Sequence, residues 1–310
     1  MPASQRSAAS APSTTCTALR TAAAALKKMV WSLGAVEARA GLEAGDFSAE
    51  DLTRACLARI AEREDMVGAW AYVNDDLALK QARALDQRKQ SGEPLGPLHG
   101  LPVGIKDIFD TEGLPTENGT PLDSGRQPDR DCKAVSLLKE AGAVIMGKTV
   151  TTELAVYGPG KTKNPHNPDH TPGGSSSGSA AAVASYMVPL AVGSQTNGST
   201  IRPASFCGIV GFKPSFGAIN RTGIKFAAES LDTIGLHTRT IDDVELLLHV
   251  LAARKPAPRR ADDAPRRIGV CRTYMWDDGE PETRTVIEDA ASRLAAAGCD
   301  MRDVALPADF

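Results

Sequence analysis

Two short segments built mainly from serine, glycine and threonine, Pro172-Gly-Gly-Ser-Ser-Ser-Gly-Ser179 and Gly193-Ser-Gln-Thr-Asn-Gly-Ser-Thr-Ile-Arg-Pro-Ala204, enclose a stretch that has to pack. Runs of glycine and serine taken alone have the composition of flexible linkers. Between these two, however, Ser179–Met187 is made of helix formers, and Val188–Gly193 is a short apolar run closed by glycine. Turn, helix, buried strand and second turn follow in unbroken order. That succession describes a packed α/β unit and excludes a tether.

The alternation extends along the chain from Leu33. Ser48 with Asp51 makes a capping box before a helix that carries Leu52, Cys56 and Ile60 on one face. Trp70–Val73 is expected as a strand and Asp75–Gln90 as a helix. Gly92–Pro102 then leads into strand Val103–Ile105, with Lys106 falling on the face opposite the two apolar residues. A helix over Ala134–Ala141, a strand over Val144–Met146 and a helix from Thr240 and Asp243 to Leu251 repeat the pattern. The expected fold class is α/β, with a mixed, largely parallel central sheet flanked by helices. Residues 254–267, rich in proline and charge, read as an exposed linker within one domain spanning 33–310; Ile268–Cys271, Thr283–Ala297 and Met301–Val304 follow as strand, helix and strand.

A serine hydroxyl attacks an amide at neutral pH only with a base in hydrogen-bond reach. Lys106 can be that base if it is neutral, and burial among apolar groups and hydroxyls disfavours the ammonium. Glycines in both serine segments allow backbone N–H groups to approach a reacting carbonyl. The residues therefore point to serine-based hydrolysis without histidine. Of the five histidines none forms a metal pair, although spacing alone leaves open a Ser-His-Asp triad through His99 or His170. The six cysteines lack Cys-x-x-Cys spacing, which argues against a zinc site or disulfide scaffold, and the chemistry calls for no cofactor.

These motifs resemble the amidase signature family. The resemblance runs from about Leu33 to the end of the chain and is densest between Leu98 and Leu236, where Gly-Ile-Lys-Asp (104–107), Gly-Lys-Thr-Val-Thr-Thr-Glu-Leu-Ala (147–155), Gly-Phe-Lys-Pro-Ser-Phe-Gly (211–217) and Ser-Leu-Asp-Thr-Ile-Gly (230–235) join the serine segments. It implies a Ser–cis-Ser–Lys triad: Ser199 as the nucleophile that forms an acyl-enzyme, Ser175 as a relay that follows a cis peptide bond, and Lys106 as the base. It also implies an oxyanion hole from the backbone N–H groups of Thr196, Asn197, Gly198 and Ser199. Asn197 stands where family members usually carry a small residue, often glycine; Asn tolerates positive φ better than other non-glycine residues, so the departure bears on the geometry of the hole and not on the identity of Ser199.

Arg202 and Gln195 are the candidate substrate-binding residues. A turn before Pro203 would aim the Arg202 fork at a substrate carboxylate; a structural salt bridge beneath the loop is the equal alternative. Together the two residues favour the amidase branch over the glutamine-hydrolysing component of amidotransferases, whose loop usually has Asp in place of Gln195 and Arg in place of Ile201. Asp107, Glu153 and Asp232 read as turn or strand-end hydrogen-bonding residues. Ser176 and Ser177 read as supports of the turn, with help to Lys106 left open, and Lys213 as a surface or packing residue.

Composition narrows the partners. Across 310 residues, 42% are hydrophobic and 24% charged, and no apolar run approaches a membrane span. A net charge of −3, from 35 basic and 38 acidic residues, supplies no basic field for nucleic acid or an anionic membrane. The expected partner is a small-molecule amide, cleaved to a carboxylate and ammonia or amine by a cytoplasmic enzyme; a homodimer is left open. Residues 1–32 read as a disordered or targeting-like tail: the first 36 residues hold no Asp or Glu but carry Arg6, Arg20, Lys27 and Lys28, which makes organelle import the alternative. Relatives continue past the point matching Phe310, so the fold is expected to be incomplete there. Three readings result: an amidase, a glutaminase-type component of a tRNA-dependent amidotransferase, and a truncated, non-catalytic fragment.

Overall fold

A computed structural model of the protein describes residues 30–252 and 266–307. The chain divides into two compact units, Met1–Pro256 and Ala257–Phe310, where one domain from 33 to 310 was expected. The division falls inside the stretch read as a linker, of which residues 254–265 lie outside the described residues, as do residues 1–29 of the expected tail. Val30–Ser32, the end of that tail, forms a 3-10 turn with Val30 in the core.

The first unit opens with α1 (Ala35–Ala44) and α2 (Ala49–Val67), the latter started by the Ser48/Asp51 capping box. β1 (Trp70–Val73) and α3 (Asp75–Gln90) follow as the sequence pattern predicts, with Asn74 capping α3 through the Leu77 N–H. Next come β2 (Pro102–Lys106), α4 (Lys133–Glu140), β3 (Val144–Thr149), α5 (Ser177–Ala184) and β4 (Leu190–Gln195). The unit closes with α6 (Ile201–Phe206), β5 (Val210–Phe212), β6 (Thr233–Thr238) and α7 (Ile241–Leu251).

The six strands lie in the order β1-β3-β2-β4-β6-β5. The central trio β3, β2 and β4 is parallel, while β1, β6 and β5 pair antiparallel at the two flanks. Every residue of β2, β3, β4 and β6 is buried, because helices cover both faces. In this register Lys106, the last residue of β2, lies beside Thr149 of β3, and Ile105 beside Val192 of β4. The carboxyl ends of the parallel strands thus gather Lys106, Thr149 and Gln195 at one edge of the sheet.

α5 explains how a serine-rich turn can sit against that edge. Its residues Ser177–Val183 are all buried and small, so the helix approaches the sheet backbone to backbone. The Gly178 N–H donates to Val150 O at 3.0 Å. A Cβ at Gly178 would meet Ala69 O at 2.2 Å and Val150 N at 2.3 Å, so only glycine fits. α5 begins two residues earlier than its helix-forming run suggests and stops at Ala184, while β4 runs two residues past Gly193.

The second unit is a βαβ arrangement of β7 (Arg267–Val270), α8 (Pro281–Ala296) and β8 (Asp300–Asp303), with the two strands parallel. Pro281 at the first turn of α8 costs no intrahelical hydrogen bond, which is why the helix starts before Thr283. Arg272 ties the unit together, pairing with Glu288 at 2.7 Å and Asp303 at 2.5 Å.

Candidate functional site

Lys106 is fully buried, and its Nζ donates to Ser175 Oγ at 2.7 Å and Ser194 Oγ at 2.8 Å. Burial pushes its pKa down to about 7, partly opposed by the negative charge of Asp232. Near neutral pH the amine is therefore close to balance between its two protonation states. Its neighbours are hydroxyls, which accept from the ammonium yet can donate to the neutral amine.

Ser175 sits in the turn ahead of α5, and the Gly174–Ser175 peptide bond is cis. The turn is tied to three neighbours: the Thr152 N–H donates to Ser175 O at 3.1 Å, the Ser176 N–H to Ser199 O at 3.2 Å, and Ser176 Oγ to Ser194 O at 3.1 Å. The Ser194 N–H returns a bond to Ser176 Oγ at 3.2 Å, and Ser177 Oγ donates to Val150 O at 3.3 Å. Ser176 and Ser177 thus support the turn and make no bond to Lys106. Besides Ser175, the hydroxyl that does is Ser194, and sequence reasoning missed it because it stood beyond the glycine taken as the strand's end.

The loop after β4 carries Ser199, which is buried. Gln195 shapes this loop: its Oε1 accepts from the Thr200 N–H at 2.9 Å and the Ile201 N–H at 3.0 Å, while its Nε2 donates to Asn197 O at 3.3 Å. Both ends of the amide are spent on the loop backbone, so Gln195 braces the loop from within. Thr196 Oγ1 donates to Asp232 Oδ1 at 2.5 Å, and Asp232 also accepts from the Ala227 N–H at 2.7 Å. Asn197 is not among the residues with positive φ, so the loop makes no use of the tolerance of Asn for that conformation. The backbone N–H groups of Thr196, Asn197, Gly198 and Ser199 make no hydrogen bond within the described residues. Ser199 Oγ likewise has no hydrogen-bond partner among them, so the structure joins Lys106 to Ser175 and leaves the Ser175 to Ser199 link unmade.

Arg202 faces the turn. Its Nε and Nη2 donate to Gly174 O at 3.1 and 2.9 Å, and among the described residues no carboxylate forms an ion pair with it. The salt bridge expected as one alternative is absent because the fork is turned onto a carbonyl. A cavity of about 260 Å³ opens beside it, with Tyr157, Thr171, Gly174, Arg202 and Phe206 in its wall.

The carboxylates named from the motifs hold turns. Asp107 pairs with Lys148 at 3.3 Å and accepts from the Glu117 N–H, and Glu153 accepts from Thr120 Oγ1 at 2.9 Å. Lys213 bonds its neighbour's carbonyl, Pro214 O, at 3.1 Å. Neither His99 nor His170 hydrogen-bonds a serine, so the Ser-His-Asp alternative is not formed among the described residues. The histidine that does approach the site is His237, whose Nε2 donates to Thr200 O at 3.2 Å; burial lowers its pKa to about 3, which keeps it neutral. No helix among the described residues is long and apolar enough to cross a membrane.

Known proteins of similar sequence and fold place the chain in a family. The chain is 40% identical over 296 residues to the A component of glutamyl-tRNA(Gln) amidotransferase from Acidothermus cellulolyticus, covering 88% of this chain but 58% of that protein. A crystal structure of an amidase superposes with a TM-score of 0.82 at 34% identity, over 89% of this chain and 64% of that one. Peptide amidase from Stenotrophomonas maltophilia does so with a TM-score of 0.80, also at 34% identity, over 88% and 62%. The chain thus spans less than two thirds of the length of these relatives. The amidase family description itself matches residues 51–309, which contain Lys106, Ser175, Ser194 and Ser199, and the chain belongs to the amidase family.

Proposed function

We propose that the protein hydrolyses the C–N bond of a small-molecule carboxamide through an acyl-enzyme on Ser199. The observation that carries this is the buried Lys106 amine, with a pKa near 7 and hydrogen-bonded at 2.7 Å to Ser175 next to the Ser199 loop. Ser199 Oγ attacks the carbonyl carbon and gives its proton to Ser175 Oγ as Ser175 gives its own to Lys106 Nζ. The unspent N–H groups of Thr196–Ser199 receive the oxyanion in this reading; one such donor is worth about 3–4 kcal/mol of transition-state stabilisation. Collapse of the intermediate breaks the C–N bond, the proton returns through Ser175 to the departing amine, and water then releases the carboxylate by the same route. The triad needs no metal or cofactor for these proton transfers.

The second reading, a glutamine-hydrolysing component of an amidotransferase that works with partner proteins, is favoured by the 40% identity to a protein of that name. Substrate preference and assembly separate the two. Incubation with a panel of amides that includes glutamine, followed by intact-mass detection of the acyl adduct, is expected to show an adduct absent from Ser199→Ala. An adduct formed only with glutamine, and only with added partner proteins, would favour the second reading. An adduct mapped to another serine would remove Ser199 from its role.

A further inference from the structure

We propose that Arg202 is a positioning residue for the relay serine: by holding the Gly174 carbonyl, its guanidinium sets where the Ser175 hydroxyl points. The proposal rests on the reading of Ser199, Ser175 and Lys106 given above. Two peptide groups flank the Cα of Ser175, and both are pinned. The carbonyl of the first, Gly174 O, accepts from Arg202 Nε at 3.1 Å and Nη2 at 2.9 Å. The carbonyl of the second, Ser175 O, accepts from the Thr152 N–H at 3.1 Å. With its backbone held on both sides, Ser175 keeps χ1 and its hydroxyl rotor, and the 2.7 Å bond from Lys106 Nζ fixes where Oγ stands.

Arg202 is also rooted in the nucleophile loop. Its own N–H donates to Gly198 O at 2.9 Å, one residue before Ser199. The rest of α6 lies directly on the turn: a Cβ at Gly173, which sits at φ +74, would stand 3.0 Å from Pro203 Cα and 3.3 Å from the Phe206 ring, closer than ordinary contact. One short helix therefore links the serine that attacks to the serine that relays, and the guanidinium is its polar contact with the relay turn. The contact is exposed to solvent, where water competes for the same carbonyl. A charged, forked donor holds there better than a neutral one. The side-on pair of the fork, Nε and Nη2, is spent on Gly174 O, so a substrate carboxylate would meet only the remaining Nη hydrogens end-on.

The test uses a neutral alkyl fluorophosphonate, which carries no carboxylate. Ser199 Oγ bonds to phosphorus as fluoride leaves and the serine proton passes to Ser175. Arg202→Met is expected to slow the limiting labelling rate by on the order of tenfold to a hundredfold, the cost of a misplaced catalytic group, with half-saturating probe concentration unchanged. Arg202→Lys is expected to recover part of the rate, because one ammonium reaches the same carbonyl. Equal labelling of wild type and Arg202→Met would overturn the proposal, as would a loss confined to acidic amides, which marks a substrate anchor. Should Arg202→Met not fold, a folded Arg202→Lys with a wild-type rate and an altered half-saturating concentration would overturn it, and one with a reduced rate alone would support it. A wild-type protein that labels nowhere at Ser199 would instead bring down the hydrolase reading, and this proposal with it.

Discussion

Lys106 and Lys148 stand at neighbouring positions of two paired strands, both wholly buried, and their surroundings make them different groups. Lys106 touches two serine hydroxyls and no carboxylate. Lys148 donates to Phe109 O at 2.8 Å and Thr116 Oγ1 at 2.6 Å and pairs with Asp107 at 3.3 Å. Burial lowers both pKa values, to about 7 for Lys106 and about 8 for Lys148, where Asp107 opposes the fall. Paired with a carboxylate, Lys148 is a cation fastening the 107–117 loop, while Lys106, whose partners are hydroxyls alone, can take and return a proton. Desolvation alone makes neither a base nor a structural ion; the partner decides.

Replacement of each lysine by methionine should separate these roles most sharply. Lys106→Met is expected to lose several orders of magnitude in turnover while remaining folded, since it strands no charge. Lys148→Met leaves Asp107 buried without its cation and is expected to cost about 3–5 kcal/mol in urea unfolding, much of it regained in Lys148→Met/Asp107→Asn. Near-normal turnover by Lys106→Met, or undiminished stability of Lys148→Met, would erase the distinction.

A pH series sharpens the comparison further. If Lys106 acts neutral, the labelling rate of Ser199 should rise with pH through about 7 and then level off. Stability follows by linkage. The folded-state pKa of Lys106 is depressed from 10.5 to about 7, so between these values the unfolded chain holds a proton that the folded chain has released. Wild type should therefore gain stability relative to Lys106→Met as pH rises across that window, with the penalty fully present below it. A flat difference between the two unfolding curves would mean that Lys106 is not depressed.

Ser194→Ala should give the smallest effect. It removes a hydroxyl that accepts from the ammonium, so the acidic limb should move to lower pH, and the rate should fall by roughly fivefold, as expected for one net hydrogen bond of about 1 kcal/mol. An unmoved limb would leave Ser175 as the sole functional neighbour of Lys106.

Much of this was readable in the residues. The Ser48 and Thr240 caps announced their helices because a cap is a local event, and Trp70–Val73 and Asp75–Gln90 emerged with the boundaries their patterns suggest. Lys106 and Ser175 could be named from their segments. β6 escaped because Thr233–Thr238 is buried on both faces and shows no alternation. α6 escaped because it is only Ile201–Phe206 long and contains Pro203, which reads as a turn. Ser194 required knowledge of register: it lies near Lys106 only because β2 and β4 run parallel with Ile105 beside Val192. Gln195 and Arg202 were found by position as candidate substrate-binding residues; what only the structure adds is that the Gln195 amide braces the loop backbone and that Arg202 Nε and Nη2 reach the carbonyl of the relay turn.

The contact at Gly178 has a mechanical consequence. Ordinarily a helix rests on a sheet through interlocking side chains, whose rotamer changes absorb small displacements. At Gly178 no such cushion exists, since main chain meets main chain at Val150 and Ala69. The serine turn is therefore mounted on the sheet almost as an extension of it, and a shift in the strands would reach Ser175 undamped. Tolerance to substitution should accordingly be minimal at Gly178, where a single methyl group would lift the mount.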